Sequence, residues 1–244
     1  MPSDHFPILI LNARPAAGKS EVIHYLKQVP LDERRARFHI GRLVEIDDFP
    51  MLWTWFEEDH LLASKLGFHR LHTGADGYFI DNVLWHLLIR RICLDYDKLI
   101  RDQPDFHDDG TVLIEFSRGV QSGGYAAAYP HLSDAVLRQA ALLYLNVSWE
   151  ESLRKNRRRF NPDRPDSILE HGLPDDRLEV LYREDDFAQV SADDPAYLTI
   201  RGQRVPYVVF DNHDDVTTPG GDPLGERLEE RLGVLWERYV GQWS

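Results

Sequence analysis

The sequence predicts an α/β fold in which a mostly parallel sheet is covered by helices on both faces. Three observations carry this. Short, branched apolar runs alternate with segments of helical periodicity along the whole chain. The first run, residues 6–11, is apolar throughout, as a strand buried on both faces requires. A chain of 244 residues with 43% hydrophobic residues is long enough to cover such a sheet.

In order, the strand 6–11 runs into a turn of small residues, 13–18, and then a helix. From Lys19 onward Val22, Leu26 and Val29 recur at helical spacing, and Pro30 stops the pattern. A second strand, 38–46, ends in Asp47-Asp48, and the stretch from Pro50 to residue 66 reads as helix. Asp76 is expected to cap a long helix to about residue 100, apolar nearly all round and therefore buried between layers. A turn at 107–110 leads to the third strand, 111–116. A short helix at 134–139, a fourth strand at 141–147 and a basic helix with Leu153, Arg154, Arg157 and Arg158 follow. After a proline-interrupted loop, 161–174, residues 175–190 read as helix, and 197–200 with 205–210 form a strand pair around Gly202. Asp222-Pro223 caps the last helix, whose Leu224, Leu228, Leu232, Leu235 and Tyr239 share one face. Residues 1–244 read as a single domain, with roughly sixty residues between the second and third strands as room for a helical insertion.

Composition narrows the function classes. Lys and Arg number 28 against 41 Asp and Glu, a formal charge of −13 that repels polyphosphate backbones and argues against nucleic acid as the principal partner. Cys93 is the sole cysteine, so no intramolecular disulfide and no multi-cysteine zinc site can form, and a cytoplasmic location is expected. No apolar run approaches the ~20 residues that span a bilayer, and no signal-type segment opens the chain, so no membrane partner is expected.

The sharpest chemical signal is Ala13-Arg14-Pro15-Ala16-Ala17-Gly18-Lys19-Ser20. It departs from the phosphate-binding loop G-x-x-x-x-G-K-[ST] only by Ala13 at the first glycine, where a Cβ would resist positive φ, and it lies between a buried strand and a helix. Loop amides and the helix N-terminus can converge on phosphate oxygens, Lys19 adds a mobile charge, and Ser20 can ligate Mg²⁺. Glu115, at the end of the third strand, could hold a Mg²⁺-bound water beside Ser20. Arg118 could touch a phosphate or pair with Glu115. One of Asp47 and Asp48 could orient or deprotonate an acceptor hydroxyl, provided their strand neighbours the loop strand; either could instead cap the following helix.

Arg154, Lys155, Arg157, Arg158, Arg159 and Arg164 form a basic patch with only Glu151 and Asp163 among them. Arg154, Arg157 and Arg158 share a helix face, where their repulsion invites an anion such as phosphate. Trp53, Trp55 and Phe56 could stack on an acceptor ring or belong to the core. His69 and His72 form no metal-ligand motif, and no transition metal is expected.

Together, Ala13 to Ser20, the strand ends at Asp47-Asp48-Phe49 and Glu115-Phe116-Ser117-Arg118, and the arginine helix from Arg154 resemble the P-loop kinases of nucleosides and nucleoside monophosphates, the adenylate kinase-like group. The resemblance implies a three-layer α/β sandwich with a mostly parallel five-stranded sheet, a helical acceptor-binding insertion at 49–109, an arginine-rich lid at 149–175, and an adenine-bordering loop at 211–214. It also implies ATP- and Mg²⁺-dependent phosphoryl transfer to a nucleoside, nucleotide or similar small metabolite. Donor phosphates would lie on Ala13, Arg14, Ala16, Ala17, Gly18, Lys19, Ser20 and Glu21, the metal on Ser20 and Glu115, and the acceptor on Trp53 and Arg118. Lys19, Asp47 or Asp48, Arg154, Arg157 and Arg158 would act in catalysis. A regulatory GTPase is disfavoured because Asp211-Asn212-His213-Asp214 lacks the lysine of N-K-x-D. The remaining alternative is a nucleotide-binding or regulatory protein without transfer chemistry, distinguished by whether the arginines and one of Asp47 and Asp48 converge on Lys19.

Overall fold

A computed structural model describes residues 4–159 and 173–242. In chain order the elements are β1 (Ile8–Ala13), α1 (Lys19–Gln28), α2 (Leu31–Phe38), β2 (Arg42–Asp47), α3 (Phe49–Lys65), α4 (Val83–Asp102), β3 (Gly110–Phe116), α5 (Gly124–Ala128), α6 (Asp134–Leu137), β4 (Ala140–Asn146), α7 (Trp149–Arg159), α8 (Asp175–Tyr182), α9 (Phe187–Val190), β5 (Tyr197–Ile200), β6 (Gln203–Asp211) and α10 (Gly221–Gly241).

The strands form one sheet in the order β2-β3-β1-β4-β6-β5. All neighbours are parallel except β5, which pairs antiparallel with β6 at one edge. The sheet is therefore six-stranded and mixed, not five-stranded: the turn at Arg201 and Gly202, both at positive φ, is too tight for a crossover, so β5 must run against β6.

Alternation along the central strands builds two cores. Ile8, Ile10, Ile114 and Leu142 pack under α4, α5, α6 and α9, whereas Leu9, Leu11, Leu113 and Leu143 pack under α1, α2 and α10. Helix–sheet–helix layering follows. The connection between β2 and β3 carries α3 and α4, and a third cluster joins Trp85 and Leu88 of α4 to Leu178 and Tyr182 of α8.

Several sequence expectations shift. Residues 38–46 are not one strand: Phe38 ends α2 and His39, at φ 55°, turns the chain into the shorter β2. Asp76 caps nothing helical, because residues 73–79 close on themselves through a bridge between Thr73 and Phe79, and α4 begins at Val83 behind Asn82. That helix buries one face and leaves Val83, Leu87 and Leu94 exposed, so it covers the sheet rather than lying between layers. The segment 175–190 breaks into α8 and α9. Among the described residues no helix is long and apolar enough to cross a membrane.

Candidate phosphate-binding cleft

At the carboxyl ends of β1, β3 and β2 lies a cleft of about 1050 Å³. Such a crevice is where open α/β sheets place ligands. One wall is the loop after β1. Ala13 is the last, fully buried residue of β1, and its carbonyl accepts a hydrogen bond from the Tyr125 hydroxyl at 3.1 Å. The positive φ angles fall on Ala16 (57°) and Gly18 (111°), so a Cβ at position 13 meets no strain.

Gly18 must be glycine for a second reason. A Cβ there would stand 2.5 Å from Thr217 Oγ1. Thr217 is fixed by Lys155 Nζ at 3.0 Å and Asn212 Nδ2 at 2.8 Å, and Asn212 also donates to the Ala17 carbonyl at 2.9 Å. The loop after β6 thus supports the loop after β1 from behind. Arg14 does not line the cleft: its guanidinium donates to the carbonyls of Val147, Tyr182 and Arg183 and pairs with Asp185 at 2.9 Å, clamping the loop to the elements beside it.

The floor is charged. Lys19, 6% exposed, donates to Ser117 Oγ at 2.8 Å and lies 3.6 Å from Glu115 Oε1. Strand β2 does not neighbour β1, because β3 lies between them, yet the register sets Asp47 beside Glu115 and so brings it to the same cleft. Burial, then the charges of Glu115 and Asp48, push the Asp47 carboxyl up to about 7. Asp47 Oδ1 accepts the Phe49 amide at 3.0 Å. Asp48 occupies the N-cap position of α3 without a side-chain cap bond and turns to Arg118, 2.7 Å away, both nearly buried. Arg118 therefore pairs with Asp48 and not with Glu115; it also donates to the carbonyls of Ser117 and Trp85 and lies over the Trp85 ring. Ser20, Glu21 and Ala16 line the side next to the start of α1, while Trp53, stacked on Phe49, lines the other together with Leu52, Phe56, Phe79 and Trp85.

The basic helix behaves differently from its sequence reading. Arg154 pairs with Glu151 and, at 2.8 Å, with Asp215; Arg157 donates to Asp175 at 2.8 Å; Lys155 is buried against Asp215 and Thr217. Arg158 is exposed, and none of Arg154, Arg157 and Arg158 lines the cleft. The repulsion inferred along this face is answered by carboxylates from other segments rather than by an added anion. Arg164 lies outside the described residues. Residues 217–221, not 211–214, border the cleft.

Sequence reasoning missed Asp59. Fully buried on α3, it accepts hydrogen bonds from the amides of Leu71, His72 and Thr73 and from the Thr73 hydroxyl, at 2.6–2.9 Å. Burial raises its pKa, but these bonds outweigh it and hold the carboxyl down near 2. The sequence gives little signal for it, because Asp59 closes the acidic run Glu57-Glu58-Asp59 and only the fold buries it while leaving the other two exposed. This clamp folds residues 71–79 so that Phe79 meets Trp85, Trp55 and Phe56, while His72 stacks on Trp55.

Among the described residues no three His, Cys, Asp or Glu side chains form a metal cage. An ion held by Ser20 and Glu115 would have to share its remaining positions with phosphate oxygens and water. The floor suits one: three carboxylates, Asp47, Asp48 and Glu115, face two cations, Lys19 and Arg118.

No family model matches the chain, and no curated protein matches it in sequence. Solved structures similar to it include the crystal structure of APE1195, with 13% identity, TM-score 0.42, and coverage of 94% of this chain and 98% of the other. Another is the crystal structure of TT1252 from Thermus thermophilus, with 13% identity, TM-score 0.44, and coverage of 98% and 99%. Neither name states an activity.

Proposed function

We propose that the protein is an ATP- and Mg²⁺-dependent kinase of a small-molecule alcohol. The observation that carries the reading is the meeting, in one cleft, of a buried lysine at a helix N-terminus, Lys19, with the neighbouring strand-end carboxylates Asp47 and Glu115. Lys19 and the amides at the N-terminus of α1 bind the donor's outer phosphates. Ser20 and Glu115 hold the metal ion, which when bound supplies positive charge to the phosphate oxygens. Asp47 accepts the proton of the acceptor hydroxyl as that oxygen bonds to the γ-phosphorus and the bond to the β–γ bridging oxygen breaks, releasing ADP. Asp48 and Arg118, neutralising one another, fix the strand ends that carry Asp47 and Glu115. The acceptor lies in the insertion half, against Trp53.

A second reading, a nucleotide-binding protein without transfer chemistry, draws on one observation: Arg154 and Arg157 are paired with carboxylates away from the cleft. The test is ADP formation from Mg·ATP with a panel of nucleosides, nucleoside monophosphates and other phosphorylatable alcohols, with Lys19→Ala as control. Acceptor-dependent ADP release that vanishes in the control supports the kinase. Tight ATP binding with no stimulation by any acceptor favours the second reading.

A further inference from the structure

The acceptor half of the cleft has a composition that selects among alcohols. Its walls are Leu52 and the rings of Trp53, Phe56, Phe79 and Trp85; Phe79 meets Phe56 and Trp85, Trp53 stacks on Phe49, and the Asp59 clamp holds the segment leading to Phe79. A wall of this kind gains most from a flat ring that stacks on it.

A phosphate already on the acceptor would need a cation there. Arg118, 2% exposed, spends its charge on Asp48 and donates through Nη1 and Nη2 to two backbone carbonyls, leaving only its buried Nε without a partner. Arg70 is bound to the Thr73 hydroxyl, and Arg42 pairs with Asp109 beside a different cavity. Among the described residues that line the cleft, this leaves Arg177 of α8, half-buried with its guanidinium packed on Gly77. One partly hydrated guanidinium stands against a floor whose carboxylates exceed its cations by one, to which a bound triphosphate adds further negative charge. A second phosphate enters that field at a loss, and a neutral ring does not.

Resting on the kinase reading, we infer that the acceptor is an uncharged alcohol carried on a flat ring, and that the same alcohol already bearing a phosphate ester is rejected. The inference concerns binding, so its test does not need turnover. Tryptophan fluorescence and calorimetry on the full chain, without ATP, would compare matched pairs: a nucleoside with its 5′-monophosphate, and a hydroxymethyl-substituted heteroaromatic with its phosphate ester. Ringless polyols serve as a third arm. The expected result is at least tenfold tighter binding of each neutral ring than of its ester or of any polyol, with Trp53→Ala weakening the neutral ring about tenfold. The inference is overturned if an ester binds as tightly as its parent, most directly if Arg177→Ala then abolishes that binding. It is also overturned if polyols match the rings. The pairwise comparison on the unaltered chain stands even if a variant fails to fold. The kinase reading fails separately: neutral rings that bind as expected but never stimulate ADP release would remove the transfer chemistry and keep the selectivity.

Discussion

The cleft floor and the arginine helix both enter as dense charge in the sequence, and folding treats them in opposite ways. At the floor, Lys19, Asp48 and Arg118 are each under 10% exposed, and three carboxylates share two cations; burial first, and then the charges of Glu115 and Asp48, lift Asp47 toward neutrality. On α7, Arg154 and Arg157 lie at the surface, and Glu151, Asp215 and Asp175 settle their charge. Charge acquires chemical leverage where burial prevents solvent and neighbours from cancelling it; a longer run of charges at the surface has less.

The largest effect should follow from removing the floor's lysine. Lys19→Ala is expected to lower kcat/KM for ATP by about 10³-fold or more. Its circular dichroism should be unchanged, since the side chain faces the cleft. Steady-state turnover checks this, and near-normal activity would dissolve the contrast between floor and helix.

Next is Asp47→Asn, expected to cost roughly 10²–10⁴ in rate. The wild-type rate should rise with pH as Asp47, whose carboxyl burial pushes up, loses its proton, and the variant's profile should lose that limb. Stability should move the other way. The folded carboxyl holds its proton to a higher pH than the unfolded one, so wild-type stability falls as pH rises from about 4 through 7. The variant should match wild type near pH 4 and exceed it at pH 8 by about 1–2 kcal/mol, a value discounted for the carboxyl's remaining contact with water. Thermal melts at the two pH values decide it.

Arg118→Ala tests the floor as architecture. It strands the Asp48 charge in a buried site already holding Asp47 and Glu115, and a loss of about 3–5 kcal/mol in urea unfolding is expected. Adding Asp48→Ala should recover part of that loss. The smallest effect belongs to the helix: Arg154→Ala with Arg157→Ala should leave the melting temperature unchanged. A large fall in turnover from this pair, with ATP affinity retained, would show that α7 rearranges during the reaction and would erase the distinction drawn above.

What the sequence disclosed follows from the range of the interactions involved. The loop 13–20 was legible because strand, loop and helix are contiguous and each has its own local pattern. Asp47 and Glu115 were legible as strand-end acids, but their adjacency rests on a register between strands about sixty residues apart, and the condition set for it, β2 beside β1, does not hold. Arg14 matched its motif position and still turned away, since the carbonyls of Val147, Tyr182 and Arg183 that hold it come from distant segments. The pairing of Arg154 is out of the sequence's local reach for the same reason: Asp215 lies 61 residues downstream. Helix α2 was hidden because its run Leu-Asp-Glu-Arg-Arg-Ala-Arg-Phe buries only Arg34 and Phe38, leaving almost no apolar periodicity to read.

Cys93 gives the molecule a use as its own reporter. The lone thiol sits 4% exposed on α4, accepts the Ser133 amide at 3.1 Å, and is pushed above its ordinary pKa by burial. A thiolate-seeking reagent can reach it only when α4 lifts from the sheet. Because α4 also carries Trp85 in the aromatic wall of the cleft, the alkylation rate measured with and without an added ring compound becomes a stopwatch for how firmly that wall is seated, read from the unaltered chain.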